Sequence, residues 1–468
     1  HNIPINFMVI RDDGKWSISH MPEYNYIPAA FLLEYRNDGK DQNVIFDIRG
    51  DTVSYSSVYP LSLKKWTPMS LHTIDEYIID HAILKINHIS KVLRYGHNTI
   101  EDIYMGNIKT ATKMPVYTRE VNGFTYSQDN FIPIGAEEVY ICSDTDNIAQ
   151  LAIYDRQTLY TDRIRVLISD SSHQSKSHKE INMLCNGNYK VKLISRDEPL
   201  EFEFEIGDQI TFRPSQSGVE LYHRQALLAT DPNRWHIGGN NGNTMYMQDI
   251  KRGFTQNSNE GTPYRGNFEV SNESDGLLLI NEVPVEEYLY SVVTSEMPVS
   301  FGLEALKVQA VAARAYAIAS IARADFATYG AHLDDSTASQ MYNNTIEHPT
   351  ALSAVQSTAG LIPFYEDEIV DTRFFSTSPG YTATSSEVWS DSNGNFPGVE
   401  LPYLLARPQY TGDSPSLHND ENFRAFIDNV NNTSYDRFSP FFRWSIELSR
   451  EVLESSINEN LPIVQRQE

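Results

Sequence analysis

Asn281-Glu-Val-Pro-Val-Glu-Glu-Tyr-Leu-Tyr-Ser-Val-Val-Thr-Ser-Glu-Met-Pro298 marks the point where a β-like chain turns helical. Pro284 near the first helical position, then Glu286 and Glu287 beside the positive end of the helix dipole, make a sound helix start. Leu289, Val292 and Val293 continue the apolar face. Pro298 forces Met297 out of helical geometry and ends the helix. Beyond it, Ser300 is a suitable N-cap for a second helix from about Gly302 to Phe326. Ten alanines between Leu303 and Ala327 let that helix approach its neighbours closely, so it reads as a buried central element. Lys307, Arg314 and Arg323 are its exceptions, with Lys307 and Arg314 seven apart and hence on one face.

Working outward, residues 163 to about 275 read as strands, among them Ile164-Arg-Val-Leu-Ile168, Tyr189-Lys-Val-Lys-Leu193 and Gln209-Ile-Thr-Phe212. Gly238-Gly-Asn-Asn-Gly-Asn243 is a loop without the strand-to-helix context that phosphate cradling requires. Short β-like runs from about Ile100 to Tyr160 suggest a small barrel-like module. In the first hundred residues, Tyr77, Ile78, His81, Leu84, Ile89 and Val92 recur at three and four, which predicts a helix over Thr73–Tyr95. His81 and His88 then lie seven apart, and without a third ligand they fit packing better than metal binding. The fold class expected is α+β and multi-domain. Residues 1–100 form an accessory α/β region and 101–160 a small β-rich module. A catalytic region spans 161–455, β-rich over 161–275, helical with the active-site blocks over 276–410, and closing over 411–455.

Composition narrows the function. A chain of 468 residues suggests about three domains, and 40% hydrophobic with 21% charged residues excludes a disordered protein. The aromatics are weighted to tyrosine, 27 against 21 Phe and 5 Trp, which suits wet, sugar-like surfaces. A net charge of −25 repels phosphates, so nucleic acid is not an expected partner. Cys142 and Cys185 cannot form a disulfide framework or a Cys-type zinc site; two buried thiols fit better than one bridge. No run approaches 18 uncharged apolar residues, so no membrane-spanning helix is expected. Opening at His1-Asn2, the chain reads as a trimmed or mature form.

Glu296 is the conspicuous chemical group. It sits in Ser295-Glu-Met-Pro298, in a short joint between two largely apolar helices. The negative end of the first helix and partial burial would both raise its pKa, as a general acid requires. Alternatively the carboxylate interacts with the next helix's N-terminus, which would lower it.

Four blocks in order carry a family likeness: Leu279-Ile-Asn-Glu-Val-Pro-Val-Glu-Glu-Tyr-Leu-Tyr-Ser-Val-Val-Thr-Ser-Glu-Met-Pro298, Glu304-Ala-Leu-Lys-Val-Gln-Ala-Val-Ala-Ala-Arg-Ala-Tyr316, Asp335-Ser-Thr-Ala-Ser-Gln-Met-Tyr342 and Phe374-Phe-Ser-Thr-Ser-Pro-Gly-Tyr-Thr-Ala-Thr-Ser-Ser-Glu-Val-Trp389. Together they resemble the stage II sporulation protein D / LytB family, over about residues 160–455. The resemblance implies a peptidoglycan lytic transglycosylase that cuts between N-acetylmuramic acid and N-acetylglucosamine, with strands stripped of stem peptides preferred. The family's catalytic glutamate maps onto Glu296. A single carboxylic acid suffices because the nucleophile belongs to the substrate, unlike glycosidases with paired acids. Were a second carboxylate to act, Asp334, Asp335, Asp371 and Glu387 would be the candidates.

Other positions in the matching blocks are candidates for sugar binding or for holding Glu296: Lys307, Gln309, Arg314, Gln340, Tyr342, Ser376, Ser378 and Thr382. Arg314 could equally neutralise a buried carboxylate, and Ser376 and Ser378 could satisfy backbone groups in a turn. Trp389 fits the core better than a stacking platform. Where some members carry His and Cys as metal ligands, this chain has Ala338 and Ser339, so no metal or other cofactor is expected. Pro379-Gly380 and Tyr381 replace a frequent Gly-Gly and His. The implied location is extracytoplasmic, with glycan strands as partner and a cell-wall amidase as a second one. A non-enzymatic amidase enhancer and a glycan-binding scaffold are the alternative functions.

Overall fold

A computed structural model describes residues 9–12, 15–18, 23–38, 41–57, 59–127, 131–154, 162–194, 199–240, 242–252, 260–344, 347–391, 394–412, 417, 419–429 and 433–464. The boundary placed at 160/161, and Asn241 of the glycine-rich loop, lie outside the described residues. The fold is α+β with β dominant, and the chain divides into two compact units, 1–363 and 364–468.

The first unit begins with a hairpin, Val9–Asp12 with Lys15–Ile18, and then a closed five-stranded barrel. Its strands run in the order Tyr24–Asp38, Asp41–Ile48, Asp51–Ser57, Tyr77–Ile83 and Pro68–Ile74. Ala30, Leu32, Val44, Phe46, Met69, Leu71 and Ile78 fill it. The helix expected over 73–95 is therefore absent: that stretch lies in the strands Pro68–Ile74, Tyr77–Ile83, Lys85–Ile89 and Val92–Gly96. Its β-branched content (Thr73, Ile74, Ile78, Ile79, Ile83, Ile86, Ile89, Val92) is the signal that outweighs the three-four recurrence. His81 and His88 accordingly sit in different sheets, His81 against the Tyr59 hydroxyl at 3.2 Å and His88 beside Tyr140. The barrel lies earlier in the chain than the sequence suggested, because the strands Val116–Glu120, Gly123–Ser127, Val139–Ser143 and Ala149–Tyr154 form an open sheet with Lys85–Ile89 at its edge.

Two larger sheets follow. One, of seven strands, holds Arg163–Ile168 between Gly276–Pro284, antiparallel, and Leu333–Asp334, parallel. The other, of six strands, packs on it to form the main core, with Trp235, Phe212, Phe268 and Tyr264 fully buried. Helices α1 (Val285–Glu296), α2 (Leu303–Arg323) and α3 (Pro349–Ser357) close that core. Pro284 is the N-cap of α1 itself, with Glu286 and Glu287 in its first turn. Met297 is extended at φ −136°, as Pro298 requires. Ser300 is not the cap of α2: it lies in a 3₁₀ turn, Val299–Phe301, and Gly302 at φ +90° begins the helix. Helix α2 is long and apolar enough to cross a membrane by composition, yet its Leu306, Ala310, Ala313 and Ala317 are core residues. The second unit contains helices α4 (Asp420–Asp428) and α5 (Arg450–Val464) and a short hairpin, Phe364–Tyr365 with Glu368–Ile369.

Both cysteines are free and buried; burial pushes their thiols up to about 12. More consequential is a buried ionic network between residues 91–102 and the seven-stranded sheet. The Arg234 guanidinium grips Glu101 with two hydrogen bonds, 2.8 and 2.7 Å. Arg165 donates to Glu269 at 2.7 and 2.6 Å and to Glu282 at 2.7 Å. Lys91 approaches Glu282 at 3.5 Å. Burial alone would raise Glu101, but Arg234 and then Arg94 outweigh it and hold the carboxyl below its usual range.

Removing one partner of such a pair strands the other charge in the interior, at about 3–5 kcal/mol. Glu101→Ala should therefore lower the thermal midpoint markedly, and a chain begun near Asp162, which lacks Glu101 altogether, should show the same loss. Because Glu101 and Glu269 are depressed carboxyls, their contribution is present at neutral pH and lost as pH falls below the ordinary carboxylate range. Thermal unfolding followed by circular dichroism at pH 7 and pH 3.5 checks both points; an unchanged midpoint for Glu101→Ala at pH 7 would contradict them.

Candidate active site

The strand Gly276–Pro284 feeds directly into α1, which delivers Ser291, Ser295 and Glu296 to its C-terminal end. Spaced by four, Ser291 and Ser295 share a helix face. The segment 341–344 lies along it with its backbone N–H groups directed at α1. Met341 N–H donates to Glu296 Oε1 at 2.7 Å, Asn343 N–H to Ser295 Oγ at 3.2 Å, and Asn344 N–H to Ser291 Oγ at 2.8 Å. Ser295 Oγ in turn donates to the Ser291 carbonyl at 2.8 Å, which fixes its lone pair toward the segment.

Side chains of the segment lock it from the other side. Gln340, fully buried, accepts from the Tyr288 hydroxyl at 3.1 Å and donates to the Ala313 carbonyl of α2 at 3.3 Å. Tyr342 donates to Asn281 Oδ1 at 3.0 Å and packs between Tyr264 and Tyr288. Upstream, Asp335 is fully buried, accepts from Ser169 Oγ at 2.5 Å and forms an ion pair with Arg252. Its own carbonyl receives the Tyr342 N–H at 3.2 Å. Gln340 and Tyr342 thus hold the segment that holds Glu296, with their side chains enclosed.

Glu296 is half-buried, and burial raises its pKa above the ordinary carboxylate value, with the Met341 N–H opposing in part. Among the described residues no charged neighbour contributes to that shift. Of the two readings open from the sequence, the raised acid is the one found. The other carboxylates considered are engaged. Asp334 accepts from the Ser336 N–H and hydroxyl, and Asp335 is ion-paired. Asp371 pairs with Arg373 at 2.6 Å, and Glu387 closes a capping box on Thr384 at 3.1 Å.

The remaining candidates divide. Lys307 is partly exposed and bonded to Glu304 at 2.8 Å within α2. Arg314 is buried and bidentate to Glu286 at 2.8 Å, with further bonds to the Leu361 and Val355 carbonyls. That is the charge-neutralising role. Gln309 is buried with no hydrogen-bond partner for its Nε2 among the described residues, leaving a donor that a ligand could satisfy. In the second unit, Ser376 is exposed. Ser378 is buried, its Oγ accepting from Gly380 N–H, and Thr382 Oγ1 accepts from Arg407 N–H at 2.8 Å. Trp389 is a correction: it is 45% exposed, with Arg373 over its ring, rather than in the core.

The residues do not fit zinc. Ala338 offers no donor, and Ser339 Oγ accepts the Asp334 N–H at 3.2 Å. Among the described residues no three His, Cys, Asp or Glu side chains cluster as ligands. Sequence reasoning missed the clasp by Ser291 and Ser295, although their spacing was visible. It missed Arg252 because nothing local distinguishes a lone arginine whose partner lies 83 positions away.

Comparison with known proteins places this geometry in context. Residues 273–365 match the family model of the stage II sporulation protein, SpoIID. The chain is 34% identical over 145 residues to stage II sporulation protein D of Bacillus subtilis (strain 168), covering 28% of this chain and 42% of that protein. It is 32% identical over 145 residues to stage II sporulation protein D of Bacillus amyloliquefaciens, again covering 42% of it. The amidase enhancer of Bacillus subtilis (strain 168) is 36% identical over 119 residues, 25% of this chain and 15% of that protein. The chain thus spans less than half the length of the relatives it matches. The matched stretch contains α1, α2 and the segment clasped to them, and over residues 273–365 this chain carries a SpoIID domain, homologous to stage II sporulation protein D and to the amidase enhancer.

Proposed function

We propose that the protein acts on the bacterial cell wall as a peptidoglycan lytic transglycosylase, with Glu296 as its general acid and base. The observation that carries this reading is a half-buried carboxyl with a raised pKa, clasped by a backbone N–H and, among the described residues, without a charged partner. Protonated Glu296 gives its proton to the glycosidic oxygen as the bond from the muramyl C1 to that oxygen breaks. The resulting carboxylate then takes the proton of the muramyl 6-hydroxyl, whose oxygen bonds to C1. A 1,6-anhydro end results, no water is consumed, and the acid is regenerated. Stem-peptide-stripped strands as substrate and an extracytoplasmic location belong to the same proposal.

A second reading is supported by the amidase enhancer relative: binding and stimulating a cell-wall amidase without chemistry of its own. The two readings separate on Glu296, which a stimulating partner has no need to titrate.

Glu296→Gln keeps shape and the Met341 contact but removes the proton, so release of soluble glycan from amidase-treated sacculi should fall by roughly 10²–10⁴-fold. Mass spectrometry should find wild-type products one water lighter than hydrolysed ends. Ordinary reducing ends would rule out the transglycosylase, and wild-type release by Glu296→Gln would favour the amidase enhancer.

The pH profile has a required sign. The first step needs protonated Glu296, so kcat/KM should decline as pH rises through its raised pKa. A rate that climbs across that range would mean Glu296 works only as a base. Chelation is expected to leave the rate unchanged; loss on EDTA treatment with recovery on added zinc would overturn the reading of Ala338 and Ser339.

A further inference from the structure

A cavity of about 690 Å³ opens between the strands Val92–Gly96 and Thr99–Asp102 on one side and the turn at Ser274-Asp275 on the other. None of its lining comes from α1 or from the 338–344 segment. Its size is in the range of small-molecule sites, and junctions between packed modules are where such sites concentrate. The lining is rich in hydroxyls and amides: Thr99, Gln174, Ser175, Ser177, Ser274 and Thr328. Groups of this kind both donate and accept, which suits a polyol better than an apolar ligand. One wall is the ring of Tyr329, an apolar face with a polar tip.

Charge in the cavity is nearly balanced. Arg94 is ion-paired with Glu273, so that pair presents no net charge. Lys176 differs. Its Nζ sits 4.4 Å from the centre of the Phe326 ring and 5.2 Å from that of Tyr329. Among the described residues no carboxylate lies within ion-pairing distance of it. The two rings therefore hold a cation at the cavity wall without neutralising it. Asp275, also in the lining, accepts from Ser274 Oγ at 3.2 Å and disfavours ligands of high negative charge.

We propose that this cavity is a second saccharide-binding site, for a sugar bearing one carboxylate, with Lys176 receiving the carboxylate and the hydroxyl-lined wall receiving the ring. It rests on the glycan reading of the protein, in which the lactyl group of muramic acid supplies such a carboxylate. Its role would be to hold a strand away from the reacting bond, so it needs no part of the chemistry at Glu296.

The test is binding without turnover, in the whole chain. N-acetylmuramic acid and its neutral counterpart N-acetylglucosamine are titrated by ligand-observed NMR into wild type, Lys176→Gln and Ser274→Trp. Wild type should bind N-acetylmuramic acid about three- to tenfold more tightly than N-acetylglucosamine, the worth of one partly exposed charged contact. Lys176→Gln should erase that preference while keeping weak binding of both. Ser274→Trp, at an exposed turn, should fill the cavity and abolish both. Absence of saturable binding to wild type, or a preference that survives Lys176→Gln, would overturn the site. Repeating the titration in Glu296→Gln separates the two proposals: binding there stands whether or not the lytic reaction does.

Discussion

Arg165 is buried with its charge intact, and the arrangement of the site depends on that. Its guanidinium is held by Glu269 and Glu282 from two neighbouring strands, and its own strand is paired along both edges. One edge carries the chain into α1. The other carries Leu333–Asp334, from which the chain runs on to Met341. Glu296 and the amide that grips it thus hang from opposite sides of one strand, whose position the ionic network sets. A buried network of this kind is poor evidence for net stability, since desolvation offsets much of the attraction. Its effect here is better described as specifying a register: alternative pairings would leave a guanidinium without carboxylates.

The helical part of the fold was legible in the sequence because its signals are local. Proline at 284 and 298, acids at 286 and 287 and the alanine run state where α1 and α2 begin, end and pack. Ser300 failed as a cap because the chain takes a 3₁₀ turn first, and glycine at 302 accommodates the positive φ that follows. The stretch at 73–95 failed for a different reason. Its apolar residues satisfy both a three-four and an alternating pattern, and the barrel's closure is a long-range fact no window contains. Glu296 was legible by likeness and by its place in the joint. Its surroundings were not: Asp335, Arg252 and Ser169 meet across the sheets, and their partnership has no signature in spacing.

The proposed chemistry is consistent with this economy of groups. Paired-acid glycosidases must position two carboxylates and a water. In this chain the other carboxylates considered are tied up in ion pairs, a cap or a local turn, leaving Glu296, whose pKa burial raises. Arg314, which the sequence left between sugar and carboxylate, binds Glu286, the Val355 carbonyl of α3 and the Leu361 carbonyl beyond it, so it braces the helices on which Glu296 depends.

The contact that reaches Glu296 from the 341–344 segment is made by a main-chain amide, while the methionine side chain plays no part in that bond. Heredity can therefore rewrite position 341 with almost any amino acid and the acid will register no difference. Proline is the exception, having no N–H to give. Ser291 and Ser295 on α1 have no such latitude, since their hydroxyls are themselves the acceptors. Variation across descendants of this sequence should thus be lopsided, permissive at the residue whose amide grips Glu296 and strict at two whose side chains do not bond it.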